Sequence, residues 1–158
     1  MDRQIDHCYL TSFTEDDLPS ENAIAIFRWW NGVFTAEGNI PTRSSFKPFD
    51  HPRCLPNIVL QDIEYNPFRV RDRVIGTNVV NMGNVNTTGQ YVDEQNGHEQ
   101  MLARLSLLVE TKKPYLVMNE EMLWASKNYS HYATLALPLS SDGIVVSQVL
   151  HYMDFTRS

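Results

Sequence analysis

An apolar face that returns every three or four residues is the clearest pattern near the start of the chain. In SENAIAIFRWWNGVF (residues 20–34), Ala23, Phe27, Trp30 and Phe34 recur at spacings of four, three and four, as one side of a helix does. Ile24, Ile26 and Trp29 widen that side almost all round, so the helix must be covered, by its own domain or by a partner subunit. Ser20 suits an N-cap, and Gly38 and Pro41 end the region, which predicts a helix over about 20–36. A second helix follows from Met101, Leu102, Leu105, Leu108 and Val109, which share one stripe at the helical period. Lys112 and Lys113 suit its negative end, and Pro114 stops it.

The remaining apolar runs are short and strand-like. The stretch between the helices opens with four prolines from Pro41 to Pro56, which predicts an irregular covering segment. NIVLQDIEY (57–65) and FRVRDRVIG (68–76) then read as two strands joined at Asn66-Pro67, close enough to form a hairpin. Residues 77–97 carry turn formers every few positions and predict one or two short helical turns. Three strands close the chain, in 115–124, 131–139 and 143–155, linked by the short polar ASKNYS and SSDG. The order of helix, two strands, helical insert and three strands predicts an antiparallel α+β sheet with helices on one face.

One strand raises a question of chemistry. In FRVRDRVIG, Phe68, Val70 and Val74 alternate with Arg69, Arg71 and Arg73, which sends the two sets to opposite faces. Asp72 falls on the apolar side and breaks the pattern. The arginines either line the outer face and pair with carboxylates of neighbouring strands, or clamp an anion. A clamp needs a glycine-rich cradle or a helix N-terminus aimed at the same point, and neither is nearby. Gly76, at the strand end, suggests a turn with a special backbone angle.

Composition narrows the classes. The 158 residues suit one domain, and 42% hydrophobic content is enough for a core. Nineteen acidic against thirteen basic residues argue against a nucleic-acid binder. No run is long and apolar enough to span a membrane, and the acidic start is no secretory signal, so a cytoplasmic location is expected. Cys8 and Cys54 lie far apart and are expected as free thiols. His7, His51, His98, His131 and His151 show no metal-ligand spacing, and His51 with Cys54 has no further clustered ligand. No nucleophile elbow or phosphate loop occurs, and Glu120 and Glu121 point opposite ways in a strand. No catalytic or metal residue is assigned, and the chain is not expected to be an enzyme.

Five segments together resemble a known family. RVIGT (Arg73–Thr77) followed by TTGQYVDE (Thr87–Glu94) resembles the PAS-like domain family of alphaproteobacteria, whose members carry an Arg-Leu-Val-Gly-Thr strand end and then a Thr-Gly-Arg turn. IPTRSSFKP (40–48) is similar to its Pro-x-Arg lead-in. LPNIVLQDIE (55–64) is similar to its first strand, which ends near an aspartate, here Asp62. LALPLSSDG (135–143) is similar to its strand ending in Pro-Leu before an Asp-Gly turn. The likeness runs from about Ala25 to Tyr152, with Gln90 where arginine is usual and Val74-Ile75 in place of Leu-Val.

The resemblance implies a PAS fold: a five-stranded antiparallel sheet with helices packed on one face and an additional N-terminal helix. Residues 20–158 would form one PAS-like domain after an N-terminal segment, 1–19. It also implies a stand-alone sensory or signalling module that binds a small molecule, a partner protein or both. No kinase, cyclase or DNA-binding segment is present, so output would pass through a partner such as a bacterial histidine kinase. The alternative is a small-molecule carrier or accessory protein without a signalling role, and an enzyme using the same cavity ranks below both.

PAS folds enclose a pocket between sheet and helices. Gln148, alone on the apolar stripe of Ile144, Val146, Leu150 and Tyr152, is a candidate contact there, as are Asn78, Asn81, Tyr91, Trp124 and Tyr132. No cofactor is identified. His98 stands where some relatives hold haem, but it reads as an exposed first-turn histidine and haem is not expected. Because helices flanking PAS cores often pair subunits, Ala23, Phe27, Trp29, Trp30 and Phe34 are the expected homodimer contacts, with the adjacent tryptophans unable to share one core stripe.

Overall fold

The computed structural model describes residues 9–121 and 129–157. Strand β1 spans Tyr9–Leu10, helix α1 Glu21–Glu37, β2 Ile58–Glu64 and β3 Arg69–Ile75. Helices α2 (Thr77–Gly83) and α3 (Glu99–Thr111) follow, then β4 (Tyr115–Glu121), β5 (Tyr129–Leu139) and β6 (Gln148–Arg157). The strands form one six-stranded sheet in the order β1-β4-β5-β6-β2-β3, and every neighbouring pair is antiparallel. The α+β class and the antiparallel sheet agree with the sequence pattern. The sixth strand is an addition: Tyr9 and Leu10 pair with Val117 and Leu116 at the sheet edge, a match too short to leave a periodic signal.

The helices do not share one face. Helix α1 buries Ala23, Ile26 and Trp30 against Ile58, Leu60, Leu135, Leu137, Leu150 and Tyr152. Helix α3 lays Leu105 and Leu108 over Ile63, Val70, Tyr115, Val117, Ala136 and Val149 on the other side. The physical reason is visible in β5, where residues 133–139 are buried without alternation, as happens when a sheet is covered on both sides.

Helix α1 starts where Ser20 Oγ accepts from Ala23 N at 3.2 Å and stops at Gly38, whose φ is 71°; such an angle favours glycine. Its inward residues are 23, 26 and 30, while Phe27 packs on Phe13 and Phe34 stays 39% exposed beside Trp30. Trp30 Nε1 donates to Pro138 O at 2.8 Å. Trp29 meets the edge of Phe46, 5.1 Å away, and lies near His51. Both tryptophans are therefore engaged by this chain itself, Trp29 by the proline-rich segment. That segment runs in three short 3-10 turns and also buries Cys54, a free thiol.

Three details differ from the sequence pattern. Gly76 has an unstrained backbone, φ −61° and ψ 151°. What it needs is space, since its N donates to Ile58 O at 2.7 Å and an added Cβ would press on Pro56 O and lie 2.8 Å from Leu55 O. The last strand begins at Gln148 rather than 143, because Ser140 and Asp142 tie residues 140–147 into a turn. Asp142 Oδ1 accepts from Ile144 N and Val145 N at 2.8 and 2.9 Å, and these bonds pull its carboxyl down to about 2. Val146 consequently joins the α3 side, whereas Leu150 and Tyr152 join the α1 side. The stripe assigned to Gln148 thus divides between two cores.

Candidate functional site

A buried polar chain lies on the sheet face that α3 covers. Alternation in β3 sends Val70 and Asp72 to this face, and the register sets Asp72 opposite Gln61 of β2. One extra residue in β3 follows at once: Leu60 pairs with Val74, not Arg73. This bulge moves Val74, 45% exposed, away from the interior. On β6, His151 stands beside Val59 of β2 and Ala136 of β5. Gln61, Asp72 and His151 are only 2%, 3% and 4% exposed.

The hydrogen bonds fix each group's role. Gln61 Nε2 donates to Asp72 Oδ1 at 3.0 Å, which turns Gln61 Oε1 toward His151 Nε2, 2.7 Å away. Because an amide oxygen only accepts, His151 carries its proton on Nε2 and presents Nδ1 as an acceptor. Burial pushes its pKa down to about 4, against the opposing charge of Asp72, so the ring is neutral near pH 7. Asp72 Oδ2 accepts from Thr87 Oγ1 at 2.7 Å and Gln95 Nε2 at 3.0 Å. Among the described residues no lysine or arginine lies within salt-bridge distance of it. From α3, Met101 Sδ reaches to 3.7 Å from Gln61 Nε2.

A second group lies on the same face toward β4. Arg104 of α3, 8% exposed, reaches Glu120 Oε1 at 3.4 Å. Gln100 bridges them with its oxygen 3.1 Å from Arg104 Nη2 and its nitrogen 2.9 Å from Glu120 Oε1. Burial, then the Glu120 charge, pushes Tyr132 up to about 12, and burial raises Tyr115 further. Thr134, between Val117 and Met153 in the ladder, buries a hydroxyl oxygen with no hydrogen-bond partner among the described residues. Such an atom costs about 1–3 kcal/mol unless something meets it.

The amide between His151 and Asp72 has no proton to pass on, so the three do not act as an acid–base relay. What they offer is a fixed pattern of donors and acceptors in an apolar surround, as small-molecule sites do.

The residues singled out from sequence do not converge here. Gln148 Nε2 donates to Asp62 Oδ1 at 2.8 Å, and Tyr91 Oη lies 2.9 Å from Glu64 Oε2, both on the opposite face. Asn78 donates to Asn57 Oδ1 at 2.8 Å, and Asn81 is exposed on α2. Tyr132 adjoins the Arg104 group, and Trp124 lies outside the described residues. His98 is part-buried at the start of α3, its Nδ1 2.7 Å from Gln95 O. The arginines each meet carboxylates: Arg73 with Asp62 at 2.7 Å, Arg71 with Glu64 at 3.9 Å and Arg69 with Asp93 at 2.8 Å. The sequence pattern does not single out Gln61 or Thr134, and it weighs His151 only as a metal ligand, although each is a polar residue in an apolar run. Asp72 gave the one usable signal, by breaking the alternation.

A 240 Å³ groove also opens at the other sheet edge, between Tyr9 and Thr11, Leu107 and Leu108 of α3, and Pro114. Comparison with family models, curated proteins and solved structures found no match.

Proposed function

We propose that this chain is a PAS-type sensory module that holds a small, uncharged, polar molecule between α3 and the sheet. The observation that carries the reading is the Asp72–Gln61–His151 chain, which commits three interior side chains to a polar pattern that burial alone disfavours. His151 Nδ1 offers an acceptor, and Thr134 Oγ1 offers a donor or an acceptor. The complementary ligand carries both kinds of group on a small apolar body. The element order of two strands, a helical insert and three strands further supports the PAS reading. Output would pass through a protein partner, for which a histidine kinase is the working assignment.

The test is to purify the protein from cells, record native mass spectra and extract any bound molecule. A stoichiometric ligand is expected, and it should be lost from folded Gln61→Leu and Thr134→Val variants. An empty wild type, with Thr134→Val merely more heat-stable, would end the proposal. A ligand released without change in any partner's activity would favour the carrier reading instead.

A further inference from the structure

Strand β3 is the outermost strand at its end of the sheet. Such a strand presents a row of backbone donors and acceptors that another strand can join. In this chain one short strap, residues 87–95, lies along that row. Gly89 N donates to Asp72 O at 2.6 Å, Asp72 N donates to Gln90 O at 3.0 Å, and Arg71 and Tyr91 form an isolated antiparallel bridge. Among the described residues, Asp72 alone in β3 makes an outward backbone hydrogen bond.

Side chains clamp the strap from both faces. Inside, Thr87 and Gln95 hold the Asp72 carboxyl. Outside, Arg69 donates two 2.8 Å hydrogen bonds to Asp93 and stacks 3.5 Å over the Tyr91 ring, while Tyr91 Oη reaches Glu64. The strap thus runs antiparallel to the arginine-bearing edge from Gly89 to Tyr91 and then turns into a 3-10 helix, Val92–Glu94, that carries its two acidic residues.

We propose that this edge docks an acidic extended segment of a partner protein, which adds as a strand in place of the strap. Charge favours that occupant. With the strap in place, Arg69, Arg71 and Arg73 face Asp62, Glu64, Asp93 and Glu94. Removing the strap takes away Asp93 and Glu94 and leaves the arginines in excess. In a strand every second side chain shares a face, so acidic residues at alternate positions would meet all three arginines. A second copy of β3 is disfavoured, because antiparallel self-pairing sets arginines against arginines. The backbone hold of the strap on β3 is short, at Asp72 and the Arg71–Tyr91 bridge, so an incoming strand must chiefly break the two-bond Arg69–Asp93 pair and draw Val92, 2% exposed, from the interior.

The probe is a fluorescent octapeptide of alternating Glu and Val, followed by anisotropy. The wild type should bind it, and Asp93→Asn with Glu94→Gln should bind about tenfold tighter by freeing the edge. Affinity should fall with salt and with Arg69→Ala. A peptide with proline at its centre should not bind, which tests the backbone ladder with the protein unaltered. Hydrogen exchange should accelerate at the Gly89 amide on binding while Asp72 stays protected. Equal binding of a Lys–Val peptide, retention by the proline peptide, or a strap that stays protected when peptide is bound would each overturn the proposal. So would a loosened-strap variant that binds nothing or pairs with itself in sedimentation.

Discussion

Gln61 and His151 lie ninety residues apart in sequence and share a 2.7 Å hydrogen bond in the interior. The bond needs a proton on Nε2, and burial keeps the ring neutral near pH 7. Several consequences can be measured.

The first concerns pH. The folded-state pKa of His151 is about 4, below its ordinary 6.5, so the unfolded chain binds that proton more readily. Its contribution is fully present above pH 6.5 and is lost as pH falls toward 4, on the order of 2–4 kcal/mol in all. Melting temperatures from pH 7 to pH 4 should fall accordingly, and His151→Gln should flatten that limb. Asp142, held near 2, acts in a lower window, below the usual 3.8. An equal slope in both proteins would rule out His151 as its source.

Asp72→Asn replaces one acceptor with a donor among three donors, from Gln61, Thr87 and Gln95. The new amide sets its nitrogen against Gln61 Nε2 or Gln95 Nε2, and relief requires that partner's amide to turn and give up its other bond. Urea denaturation should show a loss of about 1–3 kcal/mol. Unchanged stability would mean that the carboxyl is not the hub of this network.

Gly76 and Gly38 separate space from backbone angle. Gly76→Ala drives a methyl into Pro56 O and Leu55 O at an ordinary φ, whereas Gly38→Ala meets open space at a φ of 71°. The first should cost about 2–3 kcal/mol and the second about 1 kcal/mol. Chemical denaturation of the two variants reads the difference, and the reverse ranking would refute the steric argument.

Charge reversal should discriminate among the arginines. Arg71 is 42% exposed and 3.9 Å from its partner, so Arg71→Glu should stay within about 0.5 kcal/mol of wild type. Arg73 contacts Asp62, only 15% exposed, at 2.7 Å. Arg73→Glu should therefore cost more, about 1 kcal/mol. Thermal melts of both proteins at two salt concentrations would test the ranking.

The long elements were legible because each follows a single period. Helix α3 and the β2–β3 hairpin emerge at nearly their observed limits, and the arginines face outward as alternation requires. Coverage of both sheet faces was harder to read. It rests on which side of β5 each helix chooses, and an unbroken apolar run carries no such label. The bulge after Asp72 was hidden for a related reason: it is a mismatch between two strands, so neither strand contains it. The interior polar chain draws on β2, β3 and β6, and a residue such as His151 looks like an isolated exception until its partner arrives from elsewhere in the chain.

The position of β6 bears on how the molecule is made. It is the last strand along the chain, yet it sits in the middle of the sheet, between β5 and β2. A ribosome that has released everything up to residue 147 has produced two separate patches of sheet, β2–β3 and β1–β4–β5, with nothing to join them. Only the final ten-residue strand can close the seam, and it brings His151 with it. The same event that unites the sheet therefore also completes the interior hydrogen-bond chain from Asp72 through Gln61 to His151.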